Sequence, residues 1–248
     1  NVAPFVSGCE WAALPDVVCT DADADGLSDA WEAVVLERLR PLMRFDERED
    51  FFGDPEAVLA MIGRVTLLRH EPLQVRAYIV LAYSKDYGSP SCVGLTAHHG
   101  DSERVALELK RLDVTGADVG DVYVAAYYTA AHENTPTSQC MDFVGNDPAL
   151  RFTNDSVSGE PRWVVYPSSD KHATYASTEI CASIGAGVVC ASELCNADGV
   201  ANPADFERLP AIVNAGEPTT PLLDALDELG FAGESVWADR SFCGGLGG

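Results

Sequence analysis

Two rhythms of hydrophobic and polar positions run along the chain. From Arg64 to Gly88, "RVTLLRH" and "VRAYIVLAYSKDYG" are rich in Val, Ile, Leu and Tyr and read as strands. "SERVALELKRLDV" then sets Val105, Leu107 and Leu109 against Arg104, Glu108 and Lys110, the period of two that marks a half-buried strand. "DVYVAAYYTAA" and "RWVVYP" continue this vocabulary. Ahead of it, Trp31, Val34, Val35, Leu39 and Leu42 recur at helical spacing, and Pro41 limits how far that helix runs. Near the other end, "TTPLLDALDELG" has Thr220 as N-cap, Pro221 at the first helical position and Gly230 just past the last. "NPADFERLPAIV" opens in the same way with Asn202 and Pro203. These elements predict a mainly β fold with flanking helices, of the α+β kind.

At 248 residues and 47% hydrophobic content the chain can bury a sizeable core, and no Gly/Ser-rich or charge-run linker divides it. One domain over 1–248 is expected, in three parts: a loop-and-helix extension over 1–62, a β core over 63–180 and a disulfide-tied helical part over 181–248. The 16 basic against 39 acidic residues give a net charge of -23. Such a field repels nucleic acid and anionic membranes unless cations intervene, so divalent cations are the natural partners.

The eight cysteines, Cys9, Cys19, Cys92, Cys140, Cys181, Cys190, Cys195 and Cys243, lack the paired spacing of a structural zinc site. Disulfides made in an oxidising compartment fit them better. They allow on the order of a hundred connectivities; proximity and loop placement favour Cys9 with Cys19 and Cys92 with Cys140. A start at Asn1, with neither an apolar leader nor an apolar run of spanning length, suggests a secreted or periplasmic protein whose signal peptide was removed. A monomer without a transmembrane segment is expected.

The stretch "DADADGLSDAWE" fills every slot of a twelve-residue calcium loop. Asp21, Asp23 and Asp25 take positions one, three and five, Gly26 makes the sharp turn, Leu27 offers its carbonyl at seven, Asp29 stands at nine and Glu32 closes the loop. Oxygen donors alone suit a hard cation, and a bidentate Glu32 favours Ca²⁺ over Mg²⁺. The loop resembles the D-x-D-x-D-G-L-S-D-x-W-E segments of thrombospondin type-3-like and EF-hand-like repeats common in secreted bacterial proteins. It occurs once, so a structural role is expected of it rather than that of a sensor built from paired loops.

A second constellation, "HHGDSE", gathers His98, His99, Asp101 and Glu103 within six residues. On an extended strand Asp101 and Glu103 point to one face, suited to a mixed nitrogen and oxygen site, while the other face packs into the core. A surface strand with ordinary charges is the competing reading. The region resembles the necrosis- and ethylene-inducing peptide-like family, which carries a G-H-R-H-D-W-E heptapeptide after a strand ending in a lysine-aspartate pair, and the related Vps62-like proteins. Here "AYSKDYG" supplies Lys85 and Asp86, "AHHGDSE" supplies His98, Asp101 and Glu103, and "SSDKHATYAS" supplies His172, Ala173, Thr174 and Tyr175. Ser102 stands where those families have tryptophan, Gly100 where the heptapeptide has its second histidine, and Asp101 follows Asp86 by fifteen positions.

The resemblance implies a β-sandwich with the calcium-loop helix before it and short helices after it. It also implies a divalent cation (Ca²⁺, Mg²⁺ or Mn²⁺) at one end of the sheets, held by Asp86, His98, Asp101 and Glu103, with His172 close by. Three functions are compatible with these residues. One is a secreted calcium-binding protein that recognises a glycan or lipid headgroup through the second cation. Another is a metal-dependent hydrolase acting on a small substrate, with Glu103, His99 or His172 moving the proton. The third is a structural extracellular module.

Overall fold

The computed structural model describes residues 20–22, 25–46, 48–69, 74–88, 97–111, 122–131, 139–144, 152–155, 159, 161–183, 194–195 and 211–215, with the backbone alone for 122–131 and 139–144. The strands β2 (Leu59–Arg69), β3 (Gln74–Asp86), β4 (His98–Arg111), β5 (Val122–Ala131) and β6 (Gln139–Val144) follow one another as an antiparallel meander. A short β10 (Ile212–Asn214) joins β2 in parallel, giving a six-stranded sheet in the order β10-β2-β3-β4-β5-β6. A smaller sheet is built on β8 (Pro161–Pro167), which pairs in parallel with β1 (Leu42–Met43) and antiparallel with β7 (Phe152–Asn154) and β9 (Thr174–Tyr175). Two helices, α1 (Asp29–Leu39) and α2 (Thr178–Ser183), and a 3₁₀ turn over Asp50–Gly53 complete the described elements. The protein is mainly β with flanking helices.

Alternation decides what goes inside. Val75, Ala77, Ile79, Leu81 and Tyr83 of β3 and Val105, Leu107 and Leu109 of β4 line one face of the large sheet. Against them pack Trp31, Val35, Leu36 and Leu39 of α1, together with Met43, Trp163 and Val165 of the small sheet. Each such buried side chain contributes roughly 1.5–3 kcal/mol, so this shared core is what joins the two sheets. The opposite face was expected to lie in solvent but is also covered. Arg76, Tyr78, Val80, Ala106 and Glu108 are all buried there. Its charges are tolerated because they are paired: Arg76 Nη2 donates to Glu108 at 2.6 Å, and Arg76 Nη1 to the Tyr78 hydroxyl at 3.0 Å.

The helix runs as the spacing predicts and ends at Leu39, since Pro41 disfavours helical backbone at Arg40. Leu42, expected to continue the helical face, belongs instead to β1 and packs with Val164 and Tyr166. The small sheet grips the end of α1: Trp163 Nε1 donates to the Leu39 carbonyl, and Arg162 Nη1 to the Glu37 carbonyl. Two such bonds satisfy carbonyls that a helix terminus leaves without intrahelical partners. A disulfide joins Cys181 of α2 to Cys195, with Cα atoms 6.2 Å apart, a pairing that the spacing did not suggest. The favoured pairs Cys9 with Cys19 and Cys92 with Cys140, and the helices expected after Asn202 and Thr220, fall on residues or side chains outside the description. Among the described residues no helix is long and apolar enough to cross a membrane.

At Gly63 of β2, side chains of α1 and of the neighbouring strand β10 press against the backbone. A Cβ there would lie 2.5 Å from Leu36 Cδ2 and 2.9 Å from Ile212 Cγ2. Leu36 is held in the core and has little room to yield. Gly63→Ala should therefore lower the unfolding free energy by about 1–3 kcal/mol in a denaturant titration; an unchanged midpoint would contradict this packing.

Candidate functional site

The file of core-facing residues on β4 does not end in apolar side chains. Val105, Leu107 and Leu109 are continued at the same alternation by Glu103 and Asp101, which stand opposite Leu81 and Tyr83 of β3. The two carboxylates share a face, as expected, but it is the core's own face rather than the one turned away from it. Glu103 is accordingly buried, and the Asp101 side chain is only 16% exposed. Burying like charges is costly unless something of opposite sign meets them.

His172 meets them. Its ring is fully buried, with Nε2 3.3 Å from Glu49 Oε1 and Nδ1 3.6 Å from Asp101 Oδ2. The first distance is a hydrogen bond; the second is an ion-pair approach too long to be one. The imidazole lies flat on the Tyr83 ring, with centroids 3.9 Å apart and planes within 5°. Phe51 and Tyr87 turn their rings edge-on to it at 6.0 and 6.3 Å. Burial alone would push the imidazole pKa down, but the carboxylates of Asp101 and Glu49 outweigh it and raise the pKa to about 9. Burial and the charges of Glu49, Asp101 and Glu103 push the Tyr83 phenol well above its ordinary range, so it stays neutral.

His172 sits in a tight turn that closes with Ser168 N donating to the Ala173 carbonyl at 2.8 Å and His172 N to the Ser168 carbonyl at 2.9 Å. Both Asp170 and His172 take left-handed backbone, at φ 66° and 61°, which costs a non-glycine residue on the order of 1 kcal/mol. The turn is tied down from outside. Asp170 N donates to Glu49 Oε2 at 3.0 Å, the Asp170 carboxylate accepts from Asp50 N at 2.9 Å, and its carbonyl accepts from Tyr87 N at 2.8 Å. Burial raises the Asp170 carboxyl to about 6, against the help of the Asp50 amide, and the charges of Glu49 and Asp50 push the same way.

At the outer edge, Asp86 Oδ2 lies 3.3 Å from His98 Nε2, while Gly88 N donates to Asp86 Oδ1. Burial raises the Asp86 carboxyl above the usual carboxylate range, and the charge of Asp101 adds to this. His98 Nδ1 is fixed by the Gly100 carbonyl at 2.9 Å, and Gly100 takes a left-handed φ of 74°. That bond leaves Nε2 facing the carboxylate. A rim follows in which the Tyr87 hydroxyl donates to Asp54 at 2.9 Å and the Lys85 amine lies 4.3 Å from the centre of the Tyr87 ring. His99, by contrast, is exposed.

Asp86, His98, Asp101, Glu103 and His172 thus belong to one end of the sheet. Asp86 stands with His98 and Asp101 with His172, and among the described residues no three His, Cys, Asp or Glu side chains converge closely enough to hold an ion as they stand. Glu49, Asp170 and Tyr83 complete this end and were not singled out from the sequence. Tyr83 alone had a readable signal, as the position facing Asp101 once the hairpin register is drawn.

In the N-terminal loop, Asp23 lies outside the description. Gly26 takes the expected left-handed turn at φ 94°. The Asp21 carboxylate accepts from Asp25 N and Gly26 N at 3.2 Å each, and Asp29 accepts from Ala22 N at 3.0 Å. Glu32 is buried in the first turn of α1. The loop's donors are oxygen alone, the type that suits a hard cation, yet no three of its described carboxylates gather closely enough to hold one as they stand.

No protein family, no curated protein and no solved structure matches this chain.

The His172 pKa carries a pH dependence with a definite sign. A ring raised from 6.5 to about 9 in the fold contributes stability that is complete below the unfolded value and lost as pH rises through the folded one. In constant calcium the melting temperature should fall between pH 6.5 and pH 9, and that slope should flatten in His172→Gln. Equal slopes in the two proteins would show that the ring is not the titrating group.

Proposed function

We propose that the protein is a secreted calcium-binding protein whose acidic sheet end takes a second divalent cation, through which it recognises a glycan or lipid headgroup. The observation that carries the reading is the aim of His98. Metal-ligating histidines commonly donate one ring N–H to a backbone carbonyl so that the other nitrogen faces the ion; His98 Nδ1 is so bonded to Gly100, with Nε2 turned to Asp86. Asp101 adds a further carboxylate, and Asp86 already responds to its charge. A cation placed there would relieve that repulsion. Binding asks the carboxylates to exchange their present histidine contacts for the ion. When bound, the ion supplies a positive contact for anionic or hydroxyl groups on a protein whose net charge of -23 otherwise repels them. In the N-terminal loop, Ca²⁺ held by Asp21, Asp23, Asp25, the Leu27 carbonyl, Asp29 and Glu32 would fasten the start of α1.

Binding is favoured over hydrolysis by the burial of His172. A ring with no exposed surface, engaged at Nε2 and stacked on Tyr83, is poorly placed to pass protons to a substrate. Elemental analysis after dialysis in Ca²⁺ and Mn²⁺ should find two ions per chain in the wild type, one in Asp101→Asn and one in Glu32→Gln. Retention on vesicles with glycosylated headgroups should be lost on chelation and in Asp101→Asn. A single ion in both the wild type and Asp101→Asn would overturn the second site.

A further inference from the structure

We infer that Glu49 is the positioning residue of this end of the sheet: it sets the ring of His172 against Asp101 from a segment that precedes the β core. One buried carboxylate serves three donors. Glu49 Oε1 accepts from Phe51 N at 3.1 Å, starting the 3₁₀ turn, and from His172 Nε2 at 3.3 Å. Glu49 Oε2 accepts from Asp170 N at 3.0 Å. The Asp170 carboxylate answers by accepting from Asp50 N. Segments more than a hundred residues apart are thereby clasped by reciprocal bonds, and the left-handed residues of the 168–172 turn are kept in place.

A carboxylate accepts only, so the bond from Glu49 requires the proton on His172 Nε2. It also fixes the ring plane over Tyr83 and leaves Nδ1 directed at Asp101 Oδ2. Phe51 and Tyr87 contribute only ring edges. Toward the rim, burial pushes the Tyr87 phenol upward and Glu49 adds its charge. It acts through His172, as the outer partner that orients a neighbour of Asp101. The consequence for ion binding rests on the proposed cation site; the contact itself does not.

The test is nitrogen-15 NMR of the histidine rings in the full-length protein at pH 7.5, with Mn²⁺ affinity measured in parallel. In the wild type, His172 Nε2 should carry a proton protected from solvent exchange. In Glu49→Gln the side-chain amide sets a donor against donors. The His172 ring signals should move. A cap with no positioning role would leave the ring signals unchanged in a folded Glu49→Gln, and that result overturns the inference. Should the variant not fold, Glu49→Asp, which keeps the carboxylate on a shorter arm, decides in its place: unmoved His172 ring signals overturn the inference and shifted ones uphold it. Absence of Mn²⁺ at the Asp101 end of the wild type would remove the cation reading while the ring signals still judge Glu49.

Discussion

Carboxylates at the end of a core-facing strand file have to be compensated, and much of this end of the molecule follows from that requirement. Asp101 and Glu103 continue the alternation of Val105, Leu107 and Leu109, so the sheet itself carries them inward. Charge buried this way is held only where opposite charge or hydrogen-bond donors are supplied. The supply comes from the turn before β9, whose left-handed backbone at Asp170 and His172 brings an imidazole flat onto Tyr83 and against Asp101. A strained turn persists because the contacts it makes possible exceed its cost.

The route from the N-terminal loop to this end is short. After α1, the small sheet grips the helix terminus through Trp163 and Arg162, and β1 runs parallel to β8. Six residues beyond Met43, Glu49 reaches the 168–172 turn. The acidic loop therefore begins a strap that crosses the core and ends at the acidic sheet end. The loop and that end, distant in the linear pattern, are joined through a single packed segment.

Much of the sheet was legible because the hydrophobic pattern announces strands, by runs of Val, Ile, Leu and Tyr and in β4 by a period of two, and β2 to β5 and β8 lie where that pattern puts them. The helix was legible for the same reason, except at Leu42, where the residue stays apolar while the backbone changes after Pro41. The face of β4 that carries Asp101 and Glu103 was not. Alternation groups residues without saying which group is inside, and two acids at a strand's end invited the outward assignment. Glu49 had no signal at all, being one acid among several in "RFDERED", and its partners become visible only when segments far apart in sequence meet. The pairing of Cys181 with Cys195 was hidden likewise, since spacing does not encode connectivity.

The claim on which the account turns is that the paired side chains of the acidic end will converge on a divalent cation. Anomalous diffraction from crystals grown in Mn²⁺ addresses it directly, because it locates the ion rather than counting it. The account predicts a peak within coordination distance of His98 Nε2 and the Asp86 and Asp101 carboxylates, with His172 Nε2 still on Glu49. Density in the N-terminal loop alone, with Asp86 on His98 and Asp101 beside His172 as they stand here, would contradict it.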